Sequence, residues 1–209
     1  MGGVIPSPGL AFVHLSRNRR GDARRDIKMH FTRLPRLAHD IVCLRALEAS
    51  DLADWYGYLR LPVVFEHTSW NVQAVGELAP NAWSAQELSA SSPVRFAIAL
   101  KSDNRLVGTA GFHTVSPANR TAELAYDLAP EIWGKGIGTA VCRELVTWAH
   151  TCANTIRVQA TVLESNERSA RVLERLGFSR EGLLRSYRLV RGVPGNFYMY
   201  SHVTTEPAL

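Results

Sequence analysis

The amino-acid sequence predicts a single α+β domain in which helices flank a mixed, mostly antiparallel central sheet. Three alternating runs, "VRFAIAL", "RLVGTAGFHTV" and "TAELAYDL", follow one another with short turn segments between them, which is typical of an antiparallel meander. The strand-like run "TIRVQATVL" then lies between two segments whose apolar residues have helical spacing. A closing strand pair, "LLRSYRLV" and "NFYMYSHV", surrounds the turn segment "RGVPGN".

The first third of the domain is predicted to be one strand followed by helices. "DIVCLRAL", from residue 40, is typical of a strand, and "SDLADWYGYLRL" has apolar residues at helical spacing with Ser50 or Asp51 as the N-cap. Around Pro80, "WNVQAVGEL" and "SAQELSAS" are predicted as short helices.

The two crossover helices have clearer boundaries. One is predicted over 137–152, directly after three glycines. The other lies in "SNERSARVLERLG", where Ser165 or Asn166 caps the start and Gly177 ends the helix. The predicted order is therefore β, helices, β-β-β, α, β, α, β-β.

Composition indicates a globular protein. The chain has 209 residues, of which 46% are hydrophobic and 21% charged. It contains no apolar run of roughly eighteen residues or more, the length that spans a bilayer. The N-terminus has neither the apolar segment nor the small-residue cleavage site of a secretory signal. We therefore expect a cytoplasmic protein without a membrane partner.

The net charge of +5 originates in the N-terminal segment. Residues 1–36 contain eight Arg or Lys and two Asp, which gives +6, so the remaining chain carries −1. Such a segment is typical of a disordered, solvated tail. We predict a basic, disordered extension at 1–36 and one domain at 37–205, with no DNA partner; a nucleic-acid-binding arm is the alternative for 1–36. A natural start at Met29, with residues 1–28 outside the protein, is a further hypothesis.

The three cysteines do not indicate a metal site or a disulfide framework. Cys43, Cys142 and Cys152 show no C-x-x-C spacing and no accompanying histidine cluster. Cys142 lies on the apolar face of the helix after the glycines, so it is predicted to be a core residue.

Three glycines on alternate positions, Gly134, Gly136 and Gly138, precede that helix. Their spacing matches neither the P-loop of nucleoside triphosphatases nor the glycine-rich fingerprint of dinucleotide-binding folds. Glycines between a strand and a helix expose successive backbone N–H groups at the positive end of the helix dipole, which suits an anion. With no carboxylate nearby to hold Mg²⁺, the segment predicts a diphosphate bound without a metal; a turn with no ligand is the alternative.

The segment "WGKGIG" resembles the acyl-CoA signature of the GNAT superfamily of N-acetyltransferases, which is Arg or Gln, two residues, Gly, one residue, Gly or Ala. Trp133 stands at the first position and departs from the general signature. The wording "WGKG" resembles instead the branch that contains RimJ and RimL, the ribosomal-protein N-terminal acetyltransferases. A second match follows in "LESNERSARVLERLGF", where Asn166, Ser169 and Gly177 occupy the positions of that branch's N-x-x-S and L-G-F segments.

The resemblance implies a GNAT fold whose strands at 121–129 and 155–163 splay apart at one end. Acetyl-CoA is then the acyl donor and no metal is needed. Pantetheine would pair with backbone groups near Tyr126 and Leu128, and the diphosphate would bind the amides of 134–139. The residues implied in cofactor binding are Tyr126, Leu128, Trp133, Gly134, Lys135, Gly136, Ile137, Gly138, Thr139, Asn166 and Ser169. The resemblance is also compatible with a homodimer.

The implied chemistry is direct attack of an amine on a thioester, which needs a neutral amine, a stabilised oxyanion and a proton for the departing thiolate. Glu123 is the candidate base, and backbone N–H groups near 125–128 are candidates for the oxyanion site. Many relatives place a tyrosine, as general acid, at the position of Leu173. Ser169 is the candidate substitute, with Tyr198 or Tyr200 as alternatives. Cations that could meet the 3′-phosphate are Arg168, Arg171 and Arg175.

The acceptor is predicted to be the α-amine of a protein or peptide. Neutralising an α-amine at pH 7 costs roughly 1 kcal/mol, against roughly 4–5 kcal/mol for a lysine amine. The groove would be formed by residues 55–90 and the "RGVPGN" turn, with Trp55, Tyr56, Trp70 and Trp83 as core or as groove wall. The alternatives are a small amine (an amino acid, polyamine or aminoglycoside), which an acidic groove would favour, and an acyl-CoA-binding sensor without transfer activity.

Overall fold

A seven-stranded sheet forms the centre of the computed structural model, which describes residues 34–69, 72–79 and 94–204. Its strands are β1 (Val42–Ala46), β2 (Val94–Leu100), β3 (Leu106–Ser116), β4 (Thr121–Leu128), β5 (Arg157–Leu163), β6 (Ser179–Val190) and β7 (Val193–Val203). Every strand expected from the sequence is present and in the expected order. Most of the predicted N-terminal extension, up to residue 33, lies outside the described residues, and so does the whole segment "SAQELSAS".

The strands are arranged β1-β2-β3-β4-β5-β7-β6, and only β4 and β5 pair in parallel. That pairing covers three positions, from Thr121 opposite Arg157 to Glu123 opposite Gln159, and the two strands then separate. On the other side of β4, β3 contains one extra residue, His113, between the partners of Leu124 and Glu123. A bulge of this kind bends and twists its strand. The predicted mixed sheet with a splayed pair is confirmed.

The described residues contain four helices: α1 (Leu52–Leu59), α2 (Pro62–Phe65), α3 (Ile137–Thr151) and α4 (Glu167–Arg175). They also contain three short 3₁₀ turns, at Ala49–Asp51, Val75–Leu78 and Pro130–Ile132. In α3, Cys142 is buried as predicted, and burial raises the pKa of its thiol. Within the described residues, no helix is long and apolar enough to cross a membrane.

Helices α1 and α4 both have an N-cap residue that was predicted, but only one of the two residues caps with its side chain. The Asn166 side chain accepts the Ser169 N–H at 3.1 Å at the start of α4, and Gly177 (φ +82°) follows its end. Asp51 is the N-cap residue of α1, but its side chain makes no capping hydrogen bond to that helix. Asp51 turns its carboxylate back to the Glu48 N–H at 2.8 Å and to the Arg45 guanidinium at 2.7 Å, so a 3₁₀ turn starts the helical segment earlier.

A buried carboxylate joins α1 to the sheet. Asp127 on β4 accepts hydrogen bonds from Trp55 Nε1 (3.1 Å), the Tyr58 hydroxyl, Arg95 Nη1 (2.7 Å) and Thr109 Oγ1 (2.7 Å). A buried charge is tolerated when it is paired and hydrogen-bonded in this way. Trp55 is therefore a core residue; Trp70 and Trp83 lie outside the described residues.

The β6–β7 hairpin turns more tightly than predicted. Only Arg191 (φ +51°) and Gly192 (φ +82°) form the turn, whereas Pro194 and Gly195 already belong to β7. Proline is accepted there because β7 pairs with β5 only from Phe197 onward, so β7 is unpaired on that side at Pro194.

Candidate functional site

Two clefts, each of about 570 Å³, meet where β4 and β5 separate. The first, here the glycine cleft, is lined by the segment Trp133–Thr139 apart from Lys135 and by one face of α4. The second, here the hairpin cleft, is lined by parts of β3, β4 and β5 and by the β6–β7 hairpin. Both clefts are lined by His67, Thr68, Tyr126, Asp127, Asn166 and Ser169.

The glycines of the first cleft serve two different needs. Gly134 (φ +74°) and Gly136 (φ +76°) adopt the left-handed conformation, and a Cβ at either would meet nothing within 4 Å. Gly138 instead packs closely, because a Cβ there would lie 3.2 Å from Leu128 Cδ1. The first two glycines therefore form a turn that leaves its outer surface open, and the third allows the helix to approach β4.

Among the described residues, the backbone amides of 134–139 donate to no backbone carbonyl. The first bonded amide is that of Ala140, which donates to Gly136 O at 3.0 Å. Unpaired amides at a helix start carry partial positive charge and bind anions. Arg168, Arg171 and Arg175 of α4 line the same cleft.

The backbone of β4 is open toward β5 at this point. The Ala129 N–H donates to Val107 O at 2.8 Å, so the backbone groups of Ala129 point to β3. Because these groups alternate along a strand, those of Tyr126 and Leu128 point to the gap. The Leu128 carbonyl accepts Trp133 Nε1 at 2.9 Å, and the Arg168 guanidinium lies 4.6 Å from the centre of the Trp133 ring.

The start of α4 lies where the two clefts meet. Asn166 accepts from Ser169 through Oδ1 and donates to His67 O through Nδ2 at 3.0 Å. The Tyr126 hydroxyl donates to Ser169 Oγ at 3.2 Å. Burial raises the pKa of Tyr126, so its phenol is protonated at neutral pH. Nothing in "AELAYDL" indicates that the Tyr126 hydroxyl reaches α4, so only the backbone of Tyr126 was predicted to take part in binding.

Glu123 lies in the hairpin cleft and is 8% exposed, so it is not a solvated glutamate on the surface of the sheet. Its Oε1 accepts from Thr161 Oγ1 at 2.8 Å and from Arg188 Nη2 at 3.0 Å. The carboxylate is therefore held in place by one neutral and one charged donor, both on the same oxygen.

His113, the extra residue of the β3 bulge, lines the same cleft. Its pKa is lowered chiefly by burial; Glu123 opposes that shift, and Arg188 and Arg95 add to it. The imidazole is therefore neutral at pH 7 and can accept a proton. His113 was not among the predicted site residues, although the adjacent polar pair His113 and Thr114 interrupts the alternation of β3 and indicates a bulge there.

The other predicted proton donors lie elsewhere. Tyr198 donates to Glu164 Oε1 at 3.4 Å and Tyr200 to Glu174 Oε1 at 3.2 Å, and neither lines either cleft. Leu173 is buried and lines the hairpin cleft, so no phenol stands at that position.

The described lining of the hairpin cleft is close to neutral. Arg95 pairs with Asp127 at 2.7 Å and Arg188 with Glu123 at 3.0 Å, while Glu77 adds one further carboxylate. In the described part of the chain, no three His, Cys, Asp or Glu residues are grouped so as to hold a metal ion.

Comparison with known proteins gives matches along the domain. The family model described as "Acetyltransferase (GNAT) domain" matches residues 42–179. The uncharacterized N-acetyltransferase p20 of Bacillus licheniformis is 36% identical over 114 residues, which cover 54% of this chain and 64% of p20. The spermidine N(1)-acetyltransferase of Escherichia coli K12 is 27% identical over 90 residues, covering 43% of this chain and 48% of that protein.

Among solved structures, the ribosomal-protein-S5-alanine acetyltransferase of Vibrio fischeri superposes with a TM-score of 0.71 at 20% identity, covering 82% of this chain and 97% of that one. At this identity the likeness concerns the fold. The chain spans about three fifths of the length of the curated relatives that it matches most strongly. Since the family model extends from β1 to the start of β6, the chain belongs to the GNAT family of acetyltransferases.

Proposed function

We propose that this protein transfers the acetyl group of acetyl-CoA to a primary amine, and that the acceptor is the α-amine of a protein or peptide. The observation that carries the proposal is the meeting of two different clefts at Tyr126, Asn166 and Ser169. One cleft presents open amides and arginines, which suit a phosphorylated donor. The other presents titratable side chains in nearly neutral surroundings, which suit an amine.

The donor fits the glycine cleft in three respects. The open space over Gly134 and Gly136 leaves room for a diphosphate on the amides of 134–139. The gap-facing backbone of Tyr126 and Leu128 can pair with the amides of pantetheine. Arg168, Arg171 and Arg175 can meet the 3′-phosphate, although Arg171 already contacts Glu167 at 3.0 Å.

Acetyl-CoA supplies an activated thioester carbonyl, and the chain supplies proton transfer and orientation. Glu123, held by Arg188 and Thr161, is the predicted proton acceptor, and His113 is a second one in the same cleft. The protonated Tyr126 hydroxyl donates to Ser169 Oγ, and Ser169, which lines both clefts, is the predicted proton donor to the departing thiolate. The Tyr126 N–H, which faces the same gap, can stabilise an oxyanion.

The near-neutral hairpin cleft favours an α-amine over a polyamine. A polycation would require an excess of carboxylates, whereas in the described lining two of the three carboxylates are paired with arginines. An α-amine also needs less assistance, since making it neutral at pH 7 costs roughly 1 kcal/mol. An α-amine acceptor also agrees with the resemblance of the "WGKG" sequence to the RimJ/RimL branch.

The test is incubation of the purified protein with acetyl-CoA and two mixtures, one of short peptides with varied first residues and one of small amines. Mass spectrometry of the products identifies the acceptor. Acetylation of peptide α-amines is the expected result. If only small amines are acetylated, the proposed acetyl transfer holds, but the proposed peptide acceptor is wrong. Bound CoA without any product would favour an acyl-CoA-binding sensor. This is the second candidate function, because Leu173 stands where many relatives have a tyrosine as general acid.

A further inference from the structure

One short segment forms a common wall of both clefts. Residues 65–69, here the strap, consist of the last residue of α2 and the four residues after it. His67 and Thr68 line the glycine cleft and the hairpin cleft alike, and Ser69 lines the hairpin cleft. The position of the strap therefore affects the passage through which an acceptor amine would reach the donor.

Four consecutive carbonyl groups of the strap accept hydrogen bonds from distant side chains. Arg191 Nη1 donates to Phe65 O at 2.9 Å and to Thr68 O at 3.1 Å, and its Nη2 donates to Glu66 O at 3.0 Å. The fourth carbonyl, of His67, accepts from Asn166 at 3.0 Å. The Phe65 carbonyl also accepts the Thr68 N–H at 3.0 Å and Thr68 Oγ1 at 3.2 Å, and a cation is favourable beside the carbonyls at a helix end.

The two anchors come from opposite sides of the site. Asn166 lies at the start of α4, where Ser165 Oγ also lies 3.2 Å from His67 Nδ1. Arg191 lies at the tip of the β6–β7 hairpin, more than a hundred residues away in sequence. Its guanidinium also stands 5.6 Å from the centre of the Phe65 ring.

Arg191 occupies a conformation that arginine seldom adopts. Arg191 (φ +51°) and Gly192 (φ +82°) both have positive φ, the two-residue turn in which Asn-Gly is strongly preferred. An arginine in the left-handed region is strained, and strain of this kind is usually balanced by contacts that the residue makes. The three carbonyl contacts are such a balance.

We propose that Arg191 is a positioning residue that holds the strap as the shared wall of the two clefts and so determines how well the acceptor is captured. The role of the strap in catalysis rests on the proposed acetyl transfer. Its position in the free protein does not, and can be measured separately.

The informative substitution is Arg191→Asn. Asparagine suits the left-handed turn, so the hairpin is retained while all three contacts to the strap are lost. Arg191→Lys keeps the positive charge but lacks the planar guanidinium. Its effect on the strap should therefore be smaller than that of Arg191→Asn. The matched control is Arg185→Asn, an exposed arginine of β6 that lines neither cleft.

Two measurements are made on each variant. Hydrogen exchange by mass spectrometry follows the amides of Phe65, Glu66 and Thr68, each of which donates a backbone hydrogen bond. We expect their exchange in Arg191→Asn to rise about tenfold, the effect of losing a net hydrogen bond or two. Steady-state kinetics should show the acceptor KM raised by about tenfold, with kcat and the Kd for CoA changed less than about threefold.

Each outcome has one meaning. Unchanged exchange of the strap in Arg191→Asn, or an equal rise in Arg185→Asn, would overturn the positioning role. A rise in exchange without a rise in acceptor KM would overturn its part in acceptor capture. If the unsubstituted protein acetylates no amine, the proposed function fails, and the exchange measurement still decides whether Arg191 holds the strap.

Discussion

Replacing Gly136 with alanine separates the conformational need for glycine from the need for ligand access. In the free protein the added methyl group would meet nothing within 4 Å, so only the backbone conformation, φ +76°, opposes it. A left-handed alanine is disfavoured by about 1–2 kcal/mol. For a chain of this size, that loss should lower Tm by roughly 2–8 °C.

The expected effect on CoA binding is larger. The methyl group would occupy the open space over the unpaired amides at the start of α3, where we propose that the diphosphate lies. Losing one hydrogen bond to a charged group costs about 1.5–3 kcal/mol. The Kd for CoA should therefore rise by roughly 10- to 150-fold.

The assay is calorimetric titration with CoA, well below Tm, combined with thermal unfolding. The matched control is Gly57→Ala, inside α1, where an added Cβ also meets nothing within 4 Å but φ is not positive. Alanine there should raise the free energy of unfolding by about 0.5–1 kcal/mol and leave the Kd unchanged. If Gly136→Ala lowers Tm but binds CoA as the unsubstituted protein does, the anion site is not at this turn.

Three further substitutions test other parts of the site. Asp127→Asn removes a buried carboxylate that pairs with Arg95 at 2.7 Å, and urea unfolding should show a loss of about 3–5 kcal/mol in the free energy of unfolding. Glu123→Gln should lower kcat/KM for the acceptor about 100-fold if that carboxylate accepts the proton. His113→Asn should remove an inflection below pH 6.5 from the kcat/KM profile, because the pKa of His113 is lowered, and should leave the inflection at about pH 8 that an acceptor α-amine produces by its own ionisation. The His150–His202 contact (3.0 Å) predicts falling stability in acid: burial, with His150, lowers the pKa of His202, so below pH 6.5 the unfolded chain binds the proton more readily.

Exposed counterparts serve as controls for these experiments. Asp103→Asn and Glu131→Gln remove carboxylates that pair with Arg105 at the surface, so neither should change stability or kcat/KM appreciably. An equal loss in Asp103→Asn would contradict the buried-pair argument. Full activity of Glu123→Gln would leave His113 as the proton acceptor. A Tm that stays constant between pH 7.5 and about 5.5 would show that His202 is not shifted.

Much of the fold could be predicted because its signals are local. The alternation in β2, β3 and β4 and the glycine that ends α4 are visible over a few residues. Long-range contacts were not visible. Glu123 and Arg188 are 65 residues apart, and Arg191 reaches a strap 123 to 126 residues earlier, so no short pattern connects them. The same holds for the Tyr126 hydroxyl, whose partner Ser169 belongs to another element.

For a related reason, the Asp51 side chain does not cap α1. Aspartate is a common N-cap residue, but the Asp51 carboxylate accepts two hydrogen bonds from Arg45 on β1. The local sequence pattern does not predict that these two side chains meet. A charged partner from the sheet outcompetes the helix amides.

The separation of β4 from β5 after three paired positions has a consequence for how this chain can change. A ligand that pairs with main-chain groups constrains the course of the two strands and not the identity of their side chains. Substitutions on β4 and β5 that keep the strands apart would therefore leave the donor contact intact. Proline at position 126 or 128 would not, because it removes an amide hydrogen that faces the gap.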